Sequence, residues 1–543
     1  MKQRSHRAAA AVTLSFVAVA YLWPLGAIVE RAFVGGPGLS RLSWSIVGST
    51  LGDARIGRLA RFTLIETTLS VLVTLIVGLP LAWVLGRLEF RGRRTLMTMC
   101  IVPFVLPTVV VAAAFASLVP SAAVFGGGGG GAATLALIVA AHVFFNVGIV
   151  IRTVAAFIGS IDPGLEAAAR SLGRSRVGAI RSVVAPLAGP AVAAAALIVA
   201  LFTLTSFGII VALGGGSQGT IEVEIWYDTT QLLHLPAATV LSLAQLVVVG
   251  ALVVLYQRLV RRRARGTGVS LVARRPAHTS GERWAVRATA ALLLVVVGTP
   301  LAALAIRSVR WGDSWTFDHY RHLGSTLAAT SLAVSPWSAL ANSLRIAAVA
   351  AAMAVAIAIP AAVASSSGGR WGRLIDRAVM LPLGTSAATI GFGFIAAFSG
   401  PLLDLRGTWI VVPLIQATVA VPIVVRTVVP ALRAIPASMS EAAATCGAGR
   451  LRRAVEVSMP LIRRPLVMAI GLALAVSLGE FGATSFVSRS ESTTVPIAIE
   501  RLLLRPGAAN LGQAMALSCI LAALCAAVFG VVDLVAEGRT GEF

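Results

Sequence analysis

Two segments of this chain repeat one order of residue types. EAAARSLGRSRVGAIRSVVAPL runs from Glu166 to Leu187, and EAAATCGAGRLRRAVEVSMPL from Glu441 to Leu461. Each opens on a carboxylate beside an alanine run and passes a glycine, Gly173 or Gly447. Each then collects arginines (Arg174, Arg176, Arg181; Arg450, Arg452, Arg453) and reaches a proline, Pro186 or Pro460. These residue types form no recognisable reactive constellation, and on their own they also suit a plain amphipathic connector between apolar elements. Ala167, Ala168 and Ala169, like Ala442, Ala443 and Ala444, are strong helix formers that let another surface approach closely. A short helix is expected from near Pro163 and near Pro436, ended or bent by the glycine, with the proline opening the next apolar element.

Reactive constellations are absent from the sequence. Lys2 is the only lysine, so there is no Walker-A loop, which needs a lysine on the nucleotide phosphates. The run Gly126–Gly131 lacks the strand–loop–helix setting of a phosphate cradle and reads as a flexible turn. No HExxH, GxSxG or paired-cysteine site occurs, and Cys100, Cys446, Cys519 and Cys525 suggest neither a disulfide framework nor zinc. No catalytic residue, metal or cofactor is therefore assigned to the chain. Polar residues inside apolar stretches remain, and such residues are functional candidates by default. Glu480, in SLGEFGATS, stands where the other copy has Ser206, and each is followed by phenylalanine. Ser206, Phe207, Glu480 and Phe481 are candidates for lining or gating a path. Glu66, Asn146, Arg345 and Gln416 read as interhelical hydrogen-bond partners.

The elements that must position these residues follow from composition. Of 543 residues 57% are hydrophobic and 12% charged, with a mean hydropathy of +0.89, which excludes an ordinary soluble domain. Twelve apolar stretches, each able to cross about 30 Å of hydrocarbon, run 8–29, 62–86, 97–119, 132–157, 186–211, 238–257, 286–306, 340–365, 378–398, 408–430, 461–487 and 511–533. The apolar run after Arg7 reads as a retained first span, not a cleaved leader. The formal charge of +23 sits mostly in short segments that alternate with these stretches. That is the positive-inside pattern, with both termini and both alanine-rich loops in the cytoplasm. It accounts for the charge better than a nucleic-acid surface does, and the plainer reading of the basic segment 258–285 is a cytosolic linker near lipid headgroups.

The chain is an internal duplication. A 274-residue offset relates Gly173 to Gly447, Pro186 to Pro460, Ser206-Phe207-Gly208 to Glu480-Phe481-Gly482, and Thr220-Ile221-Glu222-Val223 to Thr494-Val495-Pro496-Ile497. Gly78-Leu79-Pro80 likewise matches Ala358-Ile359-Pro360. The expected fold is an all-α polytopic membrane protein with two parallel six-span halves, 1–257 and 286–543, enclosing one central path.

At these loops, about 161–186 and 434–460, the chain resembles the membrane subunits of bacterial ABC importers, whose cytoplasmic loop reads E-A-A, then glycine, then proline. The second copy follows the family spacing at Glu441, Gly447 and Pro460. In the first, that frame puts Ala167 at the acidic position, and Glu166 stands one residue earlier, about 100° round a helix. The stretch Leu213–Leu246 is similar to that of fused two-half permeases for iron(III) or thiamine. The resemblance implies a type I importer fold. It also implies that Glu166, Ala167, Ala168, Gly173 and Pro186, with Glu441, Ala442, Ala443, Gly447 and Pro460, belong to helices seated in two copies of an ATPase that binds ATP and magnesium. An extracytoplasmic binding protein would deliver solute, docking on outer loops near 30–60, 212–237, 308–338 and 488–508. The competing reading is an ion-coupled secondary transporter, which would need carboxylates or histidines near mid-membrane.

Overall fold

The computed structural model describes residues 2–33, 44–119, 131–214, 218–264, 274–324, 334–366, 369–399, 404–405 and 407–537. The glycine run before Gly131 and the centre of the basic linker lie outside these. Among the described residues, ten helices are long and apolar enough to cross a membrane, in place of the twelve straight spans expected. They are α1 (Ala10–Glu30), α2 (Ala54–Arg87), α4 (Gly131–Ile158), α6 (Val177–Leu204), α9 (Leu235–Val260), α10 (Ser280–Ser308), α11 (Pro336–Ser366), α13 (Val411–Ala434), α15 (Ala454–Gly479) and α18 (Ala508–Val532).

The third stretch of each half is the exception. Residues 97–119 bend by 98° between Arg93–Val105 and α3 (Thr108–Ala116). The cause is local: Leu106 precedes Pro107, and a residue before proline is pushed out of the helical region, here to ψ 138°. In 378–398 the helix Gly369–Val379 gives way to a 3₁₀ turn at Leu381–Gly384. The short helix α12 (Ala387–Ala397) then restarts, Ser386 accepting the Thr389 N–H at its N-terminus.

Four π-turns mark the duplication in the backbone. They span Ala18–Leu22, Ile180–Val184, Leu294–Gly298 and Ala454–Ser458, and each is followed two residues later by a proline (Pro24, Pro186, Pro300, Pro460). Proline lacks an N–H and its ring crowds the carbonyl four residues back, and a wider turn relieves both. Pro186 and Pro460 therefore do not open their spans as expected. They lie within α6 and α15, which begin upstream at Val177 and Ala454.

The halves are not two separate bundles laid side by side. The first helix of the chain packs on α11 and α12 of the second half. Reciprocally, α10 packs on α2 and α3 of the first. One core cluster joins Val109–Ala116 and Ile209–Leu213 of the first half to Val495–Leu503 and Ala514–Leu521 of the second.

Candidate coupling loops and path between the halves

Residues Pro163–Ser171 form helix α5 and Ala437–Thr445 form helix α14. Asp162 caps the first, accepting the Gly164 N–H at 2.8 Å, with Pro163 at the first helical position. Pro436 precedes the second. The two glycines do identical work. Gly173 has φ +86° and Gly447 φ +80°, a left-handed conformation that costs other residues. The Arg174 N–H donates to the Ala169 carbonyl at 3.1 Å and Gly173 to Arg170 at 3.0 Å. In the other loop, Ala448 donates to Ala443 at 2.9 Å and Gly447 to Ala444 at 3.1 Å. Both are Schellman motifs, which close the helix end and redirect the chain.

Neither helix buries a residue within this chain. Leu172 is 85% exposed, and Leu165, Val177 and Met439 are exposed beside it or its counterpart. Both short rods thus carry apolar side chains in the open. The acidic residues differ between copies. Glu166 turns back to its own chain, 3.6 Å from the Arg87 guanidinium, which also donates to the Ile161 carbonyl at 3.1 Å. Glu441 is exposed, with no ion-pair partner among the described residues. The one-residue offset of Glu166 thus becomes an internal tether.

The candidate path residues do not sit on the fifth and eleventh spans, because α6 ends at Leu204 and α15 at Gly479. Ser206-Phe207 and Glu480-Phe481 occupy the breaks that follow, ahead of α7 (Gly208–Leu213) and of the short helix Thr484–Val487. The breaks bring the two halves together. The Phe207 and Phe481 rings stack at 5.2 Å between centroids, and both are 3% exposed. Glycine permits this approach: a Cβ on Gly208 would collide with Thr108 and crowd Phe481, and one on Gly482 would lie 2.6 Å from the Ala387 Cβ. Gly482→Val is therefore expected to separate the ring pair and reduce folded yield, checked by size-exclusion chromatography in detergent. A full yield of monodisperse protein would contradict that packing.

Among the described residues no arginine pairs with Glu480. Its carboxylate accepts the Ala483 and Thr484 N–H groups at 2.8 and 2.9 Å and the Thr484 hydroxyl, capping the helix that follows. Gln416 donates to Thr484 Oγ1 at 3.3 Å. Ser206 belongs to a buried polar chain the sequence reading missed. His142 Nε2 lies 2.8 Å from its hydroxyl, and Nδ1 lies 2.5 Å from Glu66 Oε1, which also accepts from Ser70 at 2.8 Å. The 274-residue offset would have exposed it, since it sets His142 opposite Gln416. Asn146 bonds within its own helix to the His142 carbonyl, and Arg345 lies over the Trp409 ring at 4.4 Å, so among the described residues neither makes the interhelical hydrogen bond expected. Glu222 also crosses between halves, accepting the Ala388 N–H at 2.8 Å.

His142 and Glu66 are both almost fully buried, so removing one strands the other. His142→Ala is expected to cost roughly 3–5 kcal/mol, whereas Glu66→Leu with His142→Leu costs less than either single change. Thermal unfolding in detergent checks the order, and a double variant weaker than both singles would refute the pairing.

Sequence comparison bears on this arrangement at the duplication. The chain matches the family described as "Binding-protein-dependent transport system inner membrane component" twice, over residues 78–266 and 354–540. It belongs to that family. The permease is 26% identical over 512 residues to the thiamine transport system permease protein of Brucella abortus (strain 2308), covering 90% of each chain. It is 25% identical over 496 residues to that of Escherichia coli (strain K12), covering 89% of each. The sulfate transport system permease protein CysT of Salmonella typhimurium is 27% identical over 251 residues, 45% of this chain and 87% of its own. The permease is thus a fused two-half subunit of an ABC importer, a multi-pass membrane protein in which each match holds one Schellman-ended loop and one phenylalanine of the stacked pair.

Proposed function

We propose that this permease forms the translocation path of a thiamine importer. Relatives named for thiamine transport align over nine-tenths of both chains, and their printed substrate supports thiamine over iron(III). Helices α5 and α14 seat in two copies of a separate ATPase, which binds ATP and magnesium, while this chain hydrolyses nothing itself. Both termini and both loops face the cytoplasm, following the arginine distribution. A binding protein docks on the opposite face and releases solute above the Phe207–Phe481 contact. The paired glycine-ended helices at equivalent places carry this reading, since closure of two ATPases needs two stiff points of attachment.

Reconstitution in liposomes with the ATPase and the binding protein tests it. Radiolabelled thiamine is expected to accumulate only with ATP and both partners present. Uptake driven by an ion gradient without the ATPase would overturn the mechanism, and accumulation of iron(III) without thiamine would overturn the substrate.

A further inference from the structure

A cavity of 980 Å³ opens between the halves, at the end of α2 remote from the coupling loops. Arg55 and Arg58 line it, whereas Arg87, which contacts Glu166, lies roughly 48 Å away along the same helix by its rise per residue. Its wall includes Trp226 and Tyr227 of helix α8 (Ile221–Thr230) and, from the second half, Glu500 of helix α17 (Val495–Leu503). Trp226 packs edge-on against Phe207 at 5.7 Å, so the cavity abuts the stacked ring pair on that side.

Two polar groups in this wall are incompletely satisfied, and Arg501, next to Glu500, also lines the cavity. Glu500 is 8% exposed, and its carboxylate has no hydrogen bond or ion pair among the described residues. The Trp226 indole N–H is buried without an acceptor. A buried carboxylate with no hydrogen-bond donor, opposed only by the charge of Arg501, and a buried donor with no acceptor are both costly, and a ligand supplying a positive charge and an acceptor would satisfy them together. Nearby, Glu224 already holds a cation. Arg55 lies 3.0 Å from its carboxylate and 5.9 Å over the Tyr227 ring, so this corner suits positive charge on aromatic faces.

We propose that this cavity is a transit site for a planar aromatic cation, with Glu500 opposing its charge, the Trp226 ring against its face and the Trp226 N–H donating to a ring nitrogen. The proposal rests on the thiamine reading and deepens it: a thiazolium joined to a pyrimidine supplies the cation, the flat faces and the acceptors. A site loaded from the outer face just above the ring pair holds solute between its release by the binding protein and the opening of the path.

The test uses the complete transporter in liposomes and measures the concentration dependence of thiamine uptake. Glu500→Gln keeps shape and removes charge, Trp226→Phe keeps a ring and removes the donor, and Glu500→Asp restores charge. Glu500→Gln is expected to weaken half-saturation by about tenfold, as loss of one charged contact does, and Trp226→Phe by a smaller factor. Glu500→Asp should recover most of the loss. If Glu500→Gln fails to assemble, Trp226→Phe carries the decision. Wild type that imports thiamine while these variants keep its half-saturation and maximal rate overturns the transit site alone. Wild type that imports no thiamine overturns the substrate reading and this site with it.

Discussion

Replacing Gly447 with valine is expected to lower ATP-driven uptake at least roughly tenfold while the permease still inserts, and Gly173→Val should act in the same direction. The cause is backbone conformation, not lost contact, because nothing lies within 4 Å of where either Cβ would stand. At φ +80° a branched side chain costs about 1–2 kcal/mol. The chain relieves that strain by giving up the two hydrogen bonds that end α14. A rod with a frayed end bends under load. Gly447→Asn, which tolerates the left-handed region better, should recover part of the activity. The decisive measurement pairs uptake with the ATPase rate of the purified complex. Mechanical uncoupling leaves the ATPase bound but insensitive to loaded binding protein. Wild-type uptake in Gly447→Val would remove the coupling role from this loop. Glu441→Gln is expected to damage transport more than Glu166→Gln, since Glu166 is already tied to Arg87.

Removing both rings of the central pair, Phe207→Ala with Phe481→Ala, is expected to let solute cross without ATP. Each ring is buried, and truncating a buried phenylalanine costs about 3–5 kcal/mol, so the closed arrangement should lose its advantage over an open one. Beyond burial, the stacking itself contributes about 0.5–1.5 kcal/mol, so a double-mutant cycle should show coupling between the two positions. Efflux of radiolabelled thiamine from loaded liposomes without nucleotide reports the leak. Tight liposomes containing folded double variant would show that the path closes elsewhere.

Much of this molecule was written in its residue order. Apolar stretches of sufficient length, arginines between them and one repeated offset determined a duplicated α-helical membrane protein, because bilayer thickness and backbone hydrogen bonding leave little choice. Gly173 and Gly447 were readable as helix ends for the same local reason, since the left-handed turn they make involves only neighbours in sequence. The broken third stretch of each half was partly legible: Leu106-Pro107 signals a bend, but nothing local sets its size. What the tertiary structure alone decided involves residues far apart in the chain. The crossing of each first helix onto the opposite half, the stacking of Phe207 on Phe481, the His142–Glu66–Ser206 chain and the pairing of Glu166 with Arg87 each join separate elements. Apolar faces of similar composition can pack in many ways, and only close fit of shape and satisfaction of buried polar groups selects one.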